Sequence, residues 1–277
     1  MTDKHNTNKQ KEANTTQNAV PKLELRHVSK SFGDKEVLKD INLKVMPGES
    51  RVILGGSGSG KSVCLKCILG LLTPTSGQIL IDGVDTTNLP EKERFKLMTR
   101  FGMLFQSGAL FDSLTIWENV AFELLQVGTN RKKAKEVALE KLAMVGLQPT
   151  VAEQRPSELS GGMQKRVGLA RAICMEPEII FYDEPTTGLD PITADVIDNL
   201  ILKLKNELGI TSIAITHDMK SAFKIADTMA MLYKGEMIED CSKEEFEASK
   251  NPFVKQFVNG EAEGPIESVV KAYKVIA

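Results

Sequence analysis

The sequence predicts an α/β fold, and three observations carry that prediction. Short apolar, β-rich runs alternate with helical segments along the chain, the pattern of a sheet flanked by helices. One such run, Arg-Val-Ile-Leu at residues 51–54, leads straight into the glycine-rich stretch Gly55-Gly56-Ser57-Gly58-Ser59-Gly60-Lys61-Ser62, after which a helix begins. Hydrophobic residues make up 42% of the 277 positions and charged residues 26%, which suffices for a sizeable core and argues against global disorder.

Residues 1–21 are dominated by Asn, Thr, Lys and Gln and cannot bury enough surface to offset ordering entropy, so they are expected to form a disordered arm. From Leu23 the pattern changes. Leu23 and Leu25, then Ile41, Leu43 and Val45, alternate with polar residues as in half-buried strands. Met46-Pro47-Gly48 is a turn, 51–54 a short strand, 61 to about 71 a helix, and 78–81 a strand closed by Asp82-Gly83. Between 115 and about 175 the reading is helical. It opens on Thr115-Ile116-Trp117-Glu118, a capping-box arrangement, and Gly146 stops its second helix after Leu142 and Val145. Residues 179–182 and 211–216 return as apolar runs separated by a helix over 191–208, so the 115–175 block reads as an insertion between two core strands.

Composition narrows the function. Lys plus Arg number 35 against 37 Asp plus Glu, and a net charge of −2 lacks the basic excess that grips nucleic acid. No apolar run approaches the ~20 residues that span a bilayer. The N-terminus has no apolar signal core, so the chain is expected to stay in the cytoplasm. Four cysteines fit a reducing compartment, and Asn14-Thr15-Thr16, a glycosylation pattern, would go unused there. Cys64-Leu65-Lys66-Cys67 falls inside a helix with no second pair, so these thiols read as small buried residues rather than a redox or zinc pair.

The stretch from Gly55 to Ser62 fits the P-loop pattern G-x-x-x-x-G-K-[ST] in its required setting between strand and helix. Glycines let main-chain N–H groups turn inward toward phosphate oxygens, and the following helix adds its positive end. Lys61 supplies a point charge for the β- and γ-phosphates, and the Ser62 hydroxyl is placed for Mg²⁺, which makes ATP and Mg²⁺ the expected cofactors. Asp183 ends the apolar run from 179 and is expected to hold the metal through its water shell; Glu184 is expected to polarise the attacking water. Leu159-Ser160-Gly161-Gly162-Met163-Gln164 offers a second anion site, with Ser160 as N-cap and two glycines leaving N–H groups open. One nucleotide does not need two such sites on one chain, so the second is expected to serve a nucleotide held by another subunit. A lone histidine after a strand is often structural, but His217 follows the apolar run 211–216, and ligands gather at the carboxyl ends of parallel strands.

In the order of these motifs, from about Leu23 to Glu245, the chain resembles the nucleotide-binding subunits of ABC transporters. The resemblance implies a P-loop NTPase cassette with a RecA-like core, an antiparallel β subdomain and an inserted helical subdomain. It implies that Phe32 stacks on adenine, that the loop through Val63 binds phosphates, and that Gln106 lies in a loop linking the metal site to the membrane partner. It also makes 160–164 the signature, Asp190 part of the D-loop, and His217 the switch histidine. Gly56 and Val63 stand where Pro and Thr are commoner, and Thr187-Gly188 departs from the usual D-loop. Glu184, His217 and Gln106 are then the catalytic set, and Ser62, Gln106 and Asp183 the metal set. A finer resemblance, in 105–111, 156–163, 190–193 and the tail 254–265, is to the Mla-type ATPases of phospholipid transport. It implies action at the cytoplasmic face of the inner membrane as a head-to-tail dimer, with a permease, an MCE lipid-binding ring and a STAS-domain protein. The expected organisation is an arm over 1–21, an ATP-binding domain over 22–245 and a docking tail over 246–277. An amino-acid or other solute importer is the main alternative. Ribosome- or DNA-acting relatives are disfavoured by the single uninterrupted cassette, and a degenerate regulatory module by the presence of Glu184 and His217.

Overall fold

Apolar residues in the strand-like runs point alternately into two cores. In β3 (Ser50–Leu54), β7 (Ile179–Asp183), β8 (Thr211–Thr216) and β9 (Thr228–Tyr233), residues Val52, Leu54, Ile180, Tyr182, Ala214 and Met229 face one core. Ile53, Ile179, Phe181, Ile213, Ile215 and Ala230 face the other. A strand covered on both faces is apolar at nearly every position, which is why these runs read as continuous rather than alternating. With β6 (Phe101–Leu104) they form a parallel sheet in the order β9-β3-β8-β7-β6, and β10 (Glu236–Ser242) adds antiparallel to β9. The carboxyl ends of β3, β6, β7 and β8 therefore gather at one edge. This computed structural model describes residues 19–266. The first 18 residues of the expected arm and the apolar cluster Val269, Val270, Tyr273, Val275 and Ile276 lie outside the described residues.

A second, antiparallel sheet has the order β2 (Lys35–Val45), β1 (Leu23–Phe32), β4 (Ser76–Ile81), β5 (Val84–Asp85). Leu23 pairs with Val45 and Leu25 with Leu43, so the alternation seen in sequence turns one face toward Ile53 and Phe181, with α1 (Lys61–Ile68) in the same core. Asp82 and Gly83, at φ 51° and 77°, make the tight turn between β4 and β5. Helix α1 stops at Ile68, short of the expected 71. Gly70 has φ +67°, and the Gly70 and Leu71 N–H groups donate to the carbonyls of Cys67 and Lys66, a Schellman ending. Cys64 and Cys67 are buried on that helix, and burial pushes the Cys64 thiol up to about 12.

Helix α2 (Glu91–Met98), which buries no residue, precedes β6. The helical insertion follows: α3 (Ile116–Val120), α4 (Phe122–Gln126), α5 (Arg131–Met144), two 3-10 turns (Pro149–Val151, Pro156–Glu158) and α6 (Gly161–Ala172). Thr115 and Glu118 form the expected capping box, and Gly146, at φ +74°, ends α5. The insertion is joined to the sheet rather than separate from it. Ile116, Ala134 and Leu142 share a core with Val52 and Leu104. Where α6 crosses β6, a Cβ on Gly102 would fall 2.2 Å from the Ala172 carbonyl oxygen and one on Gly168 2.7 Å from Leu104. Helices α7 (Pro191–Leu208) and α8 (Met219–Ile225) complete that layer. The chain continues into α9 (Lys243–Glu247), capped by Ser242, and α10 (Pro252–Asn259). Phe246 and Val254 are buried in the same core and Phe253 packs on Tyr233 at 5.0 Å, so 246–266 folds onto its own cassette. Among the described residues no helix is long and apolar enough to cross a membrane.

Candidate active site

The glycine-rich loop runs too close to its surroundings to carry side chains at two points. A Cβ on Gly55 would fall 2.3 Å from the Leu232 carbonyl oxygen, and one on Gly60 2.9 Å from Leu38. Both residues have positive φ, so the loop's path requires glycine on two counts. Lys61 follows as the first residue of α1, and its Nζ donates to the carbonyls of Gly55 (2.5 Å) and Gly56 (3.0 Å). Burial lowers the lysine's pKa, while Glu184 and Asp183 pull it back up. The Ser59 hydroxyl is buried without a hydrogen-bond partner. An orphaned hydroxyl beside a buried ammonium held only by main-chain carbonyls suits a phosphate chain, whose oxygens accept from both.

The loop opens into a cavity of about 1140 Å³. Gly56 to Val63 line it on one side; Gln106 after β6, Asp183 and Glu184 at the end of β7, and His217 after β8 line the rest. Four separate stretches of sequence thus meet at the carboxyl edge of the sheet, as the strand order requires. Burial, and then the neighbouring Glu184, raise the Asp183 pKa, against the opposing pull of Lys165, Lys61 and Lys66. Glu184 sits at φ +50°, a left-handed conformation that costs a non-glycine residue about 1 kcal/mol. Its N–H donates to the Ile215 carbonyl at 2.8 Å. Its Oε2 lies 2.9 Å from His217 Nδ1 and accepts from Thr187 (3.0 Å) and Thr216 (3.3 Å). Among the described residues no group of three His, Cys, Asp or Glu could hold a metal alone. Ser62, Asp183 and Gln106 suit instead a hard, hydrated cation that takes its other ligands from phosphate.

The remaining expected residues lie outside that cavity lining. Phe32 is exposed at the end of β1, with Lys30 Nζ 5.1 Å above its ring. Ser160 caps α6 by accepting from Met163 N–H at 3.4 Å, and Ser160 and Gly161 are exposed. Gly162 is buried against α7, where a Cβ would fall 2.5 Å from Thr193. Met163 is half-buried. Gln164 donates to the carbonyls of Pro156 (2.9 Å) and Leu159 (3.3 Å), so its amide holds the approach to the signature. Asp190 caps α7, accepting from Ile192 and Thr193 N–H, and the Thr193 contacts hold its carboxyl below the usual range. Signature and D-loop are therefore neighbours on a surface distinct from the cavity, each with its carboxylate or hydroxyl engaged as a helix cap.

Several cavity residues had no sequence signal. Lys35 and Val37 of β2, Gly235 in the β9–β10 turn, and Gln256, Phe257 and Glu261 of the tail line it through tertiary folding alone. Buried Lys165 is the other omission; its one trace in the sequence is a basic residue amid the apolar side of α6.

A profile of the ABC transporter family matches residues 38–187, more than half of the chain. The chain belongs to the ABC transporter family. This cassette is an ATPase. It is 40% identical over 245 residues to the intermembrane phospholipid transport system ATP-binding protein MlaF of Haemophilus influenzae, covering 88% of this chain and 92% of that protein. It is 41% identical over 246 residues to a probable ribonucleotide transport ATP-binding protein of Mycobacterium bovis, covering 88% of this chain and 68% of that one. Among solved structures it is similar to a dimeric ATP-binding cassette in a post-hydrolysis state bound to ADP and Pi, with a TM-score of 0.72 and 35% identity over 80% of this chain and 98% of that one. The RecA-like core, antiparallel β subdomain and inserted helical subdomain are those of an ABC cassette.

Proposed function

We propose that this ABC ATPase energises phospholipid transport between the inner and outer membranes, maintaining outer-membrane lipid asymmetry from the cytoplasmic face of the inner membrane. The observation that carries this reading is the similarity to the Haemophilus influenzae phospholipid transport protein over 92% of that protein's length. The match to the phospholipid transport protein covers 92% of that protein, against 68% for the probable ribonucleotide transport protein, which favours lipid over the solute-importer alternative.

The site supports a clamp. Two copies would meet head to tail, each ATP held by the P-loop of one copy and by Ser160 to Gly162 of the second. Main-chain N–H groups of the loop and the Lys61 ammonium bind the β- and γ-phosphates, with Phe32 stacking on the base at the open side. Glu184 polarises the attacking water, and His217, 2.9 Å from its Oε2, orients that carboxylate and reaches toward the γ-phosphate. Ser62, Asp183 and Gln106 would hold Mg²⁺, which would supply positive charge to offset that developing on the phosphates. Asp190 and its loop join the two sites, and Gln106 with the helical insertion faces the permease. The further partners are an MCE ring and a STAS-domain protein, with the tail from 246 to 277 contributing to docking.

Co-purification of a tagged chain from detergent-solubilised membranes tests the assignment. Permease, MCE and STAS proteins should accompany it, and phospholipid transfer by the reconstituted complex should require ATP. A solute-binding protein in their place would sink the lipid reading while leaving the ATPase intact.

A further inference from the structure

Helix α6 begins at the exposed Ser160 and Gly161 and, within its second turn, sends Lys165 into the interior. The side chain is only 4% exposed. Its ammonium donates to the main-chain carbonyl of Gln106 and, at 3.2 Å, to that of Glu184. Farther along the same helix, Arg171 donates to the carbonyls of Gly108 (2.7 Å) and Ala109 (2.8 Å). One helix, carrying the signature at its start, thus holds the loop that contains Gln106 at three carbonyls and Glu184 at a fourth.

Burial alone does not account for a lysine here. An apolar side chain of similar length would fill the space without the cost of taking a charge out of water. Among the described residues Lys165 forms no ion pair, so the charge is balanced by carbonyl dipoles and by the nearby carboxylates of Asp183 and Glu184. Its partner Glu184 has a left-handed main chain, whose N–H is held by Ile215 and whose carbonyl is held by Lys165. Main-chain dihedrals at that residue decide where its carboxylate points.

We infer that Lys165 is a positioning residue for hydrolysis: its ammonium clamps the main chain of Glu184 to that of Gln106, so that the signature helix sets the direction of the Glu184 carboxylate. This rests on the reading of Glu184 as the group that activates water. Gln106 movement and signature engagement then reach the reacting water through one side chain, with no contact between Lys165 and the nucleotide.

The test compares steady-state ATPase of the full chain with Lys165→Met, Lys165→Gln and Glu184→Gln. For Lys165→Met, kcat should fall about 10- to 100-fold, the scale of an ångström-level misplacement, while KM for ATP stays within about twofold. Lys165→Gln keeps a shorter donor, so its kcat should lie between that of Lys165→Met and the parent. In a Glu184→Gln background, Lys165→Met should leave ATP retention unchanged, which a merely structural lysine would not. Unchanged kcat in Lys165→Met or Lys165→Gln, with Glu184→Gln inactive, overturns the inference alone. Loss of ATP retention or a parallel rise in KM reduces Lys165 to a structural part. Normal hydrolysis by Glu184→Gln removes the reading of Glu184 itself. If Lys165→Met does not fold, Lys165→Gln carries the decision by the same kcat criterion.

Discussion

In the proposed mechanism, individual side chains divide the work of holding ATP from that of cleaving it. Lys61 is buried against loop carbonyls that phosphate oxygens would replace, whereas the Glu184 carboxylate is held by His217, Thr187 and Thr216 at the cavity wall. Glu184→Gln should therefore retain ATP while turnover falls about 10²- to 10⁴-fold, and Lys61→Ala should lose nucleotide affinity first. Filter-retained radiolabelled ATP and phosphate release separate the two. A second residue matters to stability rather than chemistry. Asp198 on α7 is 2% exposed, accepts from Ser221 at 2.8 Å, and leaves its other oxygen buried without a partner. Burial raises its pKa to about 6, above its ordinary value of 3.8. The folded state thus favours the protonated acid. That advantage is complete below the unfolded pKa and is lost as pH rises through about 6. Asp198→Asn, neutral throughout, should gain on the order of 1–2 kcal/mol over the parent at pH 7.5 and almost nothing at pH 4. Denaturation midpoints across that range give the comparison.

At the scale of elements, loop 105–115 decides how the insertion is attached to the sheet. It leaves β6 and is pinned from two helices by side-chain bonds to its main chain. Lys165 and Arg171 reach it from α6, and from α3 the fully buried Asn119 accepts from Phe111 N–H and donates to the carbonyls of Phe111, Leu114 and Thr115. Asn119→Ala would remove a part-buried set of bonds to the Phe111 N–H and three carbonyls, and should cost about 1–2 kcal/mol in urea unfolding. Because Phe111 packs on Phe122 of α4 at 4.5 Å, the same variant should loosen that contact and raise hydrogen exchange locally over 105–122. Protection there equal to that of the parent would show that the Asn119 bonds do not hold the loop.

The whole molecule exposes Ser160 and Gly161 outside the lining of the P-loop cavity, so the proposed clamp needs a second copy to bring the two motifs together. Ser160→Arg, at an exposed helix start, should leave folding and ATP binding near normal while hydrolysis falls about 100-fold, since the oriented contact to the second nucleotide is lost. Mixing this variant with Lys61→Ala should restore one intact site per dimer. Full hydrolysis at dilutions where no dimer forms would remove the trans-acting signature. The tail calls for a cut at the right place. Deleting from 252 takes Val254 out of the core and removes Gln256, whose amide accepts from and donates to Ile266. Deleting 267–277 spares every described contact, so that shorter chain should fold, bind ATP and assemble poorly with its transporter. Normal assembly of the shortened chain, measured by co-purification of the partners, would assign docking elsewhere.

Local signals were legible from the sequence because they involve groups within about five positions of one another. The P-loop glycines, the capping box at Thr115, the cap at Ser160 and the turn at Asp82-Gly83 belong to this class. Gly70 belongs to it as well, and ending α1 there required only its positive φ to be considered. The two-sided strands declared themselves through continuous apolar runs, and they implied a covered sheet. Motif chemistry also named the metal and catalytic candidates without any knowledge of their distances. What tertiary structure alone decided is which of them meet. Strand order brings Gln106, Asp183, Glu184 and His217 to one cavity with the P-loop, and keeps Ser160 and Asp190 out of it. The same order buries Lys165 between two loops far apart in sequence and turns Gln256 and Phe257 toward the cavity. Such meetings depend on crossovers and long-range packing, and nothing in the residues immediately beside a lysine or a glutamine encodes which distant carbonyl it will reach.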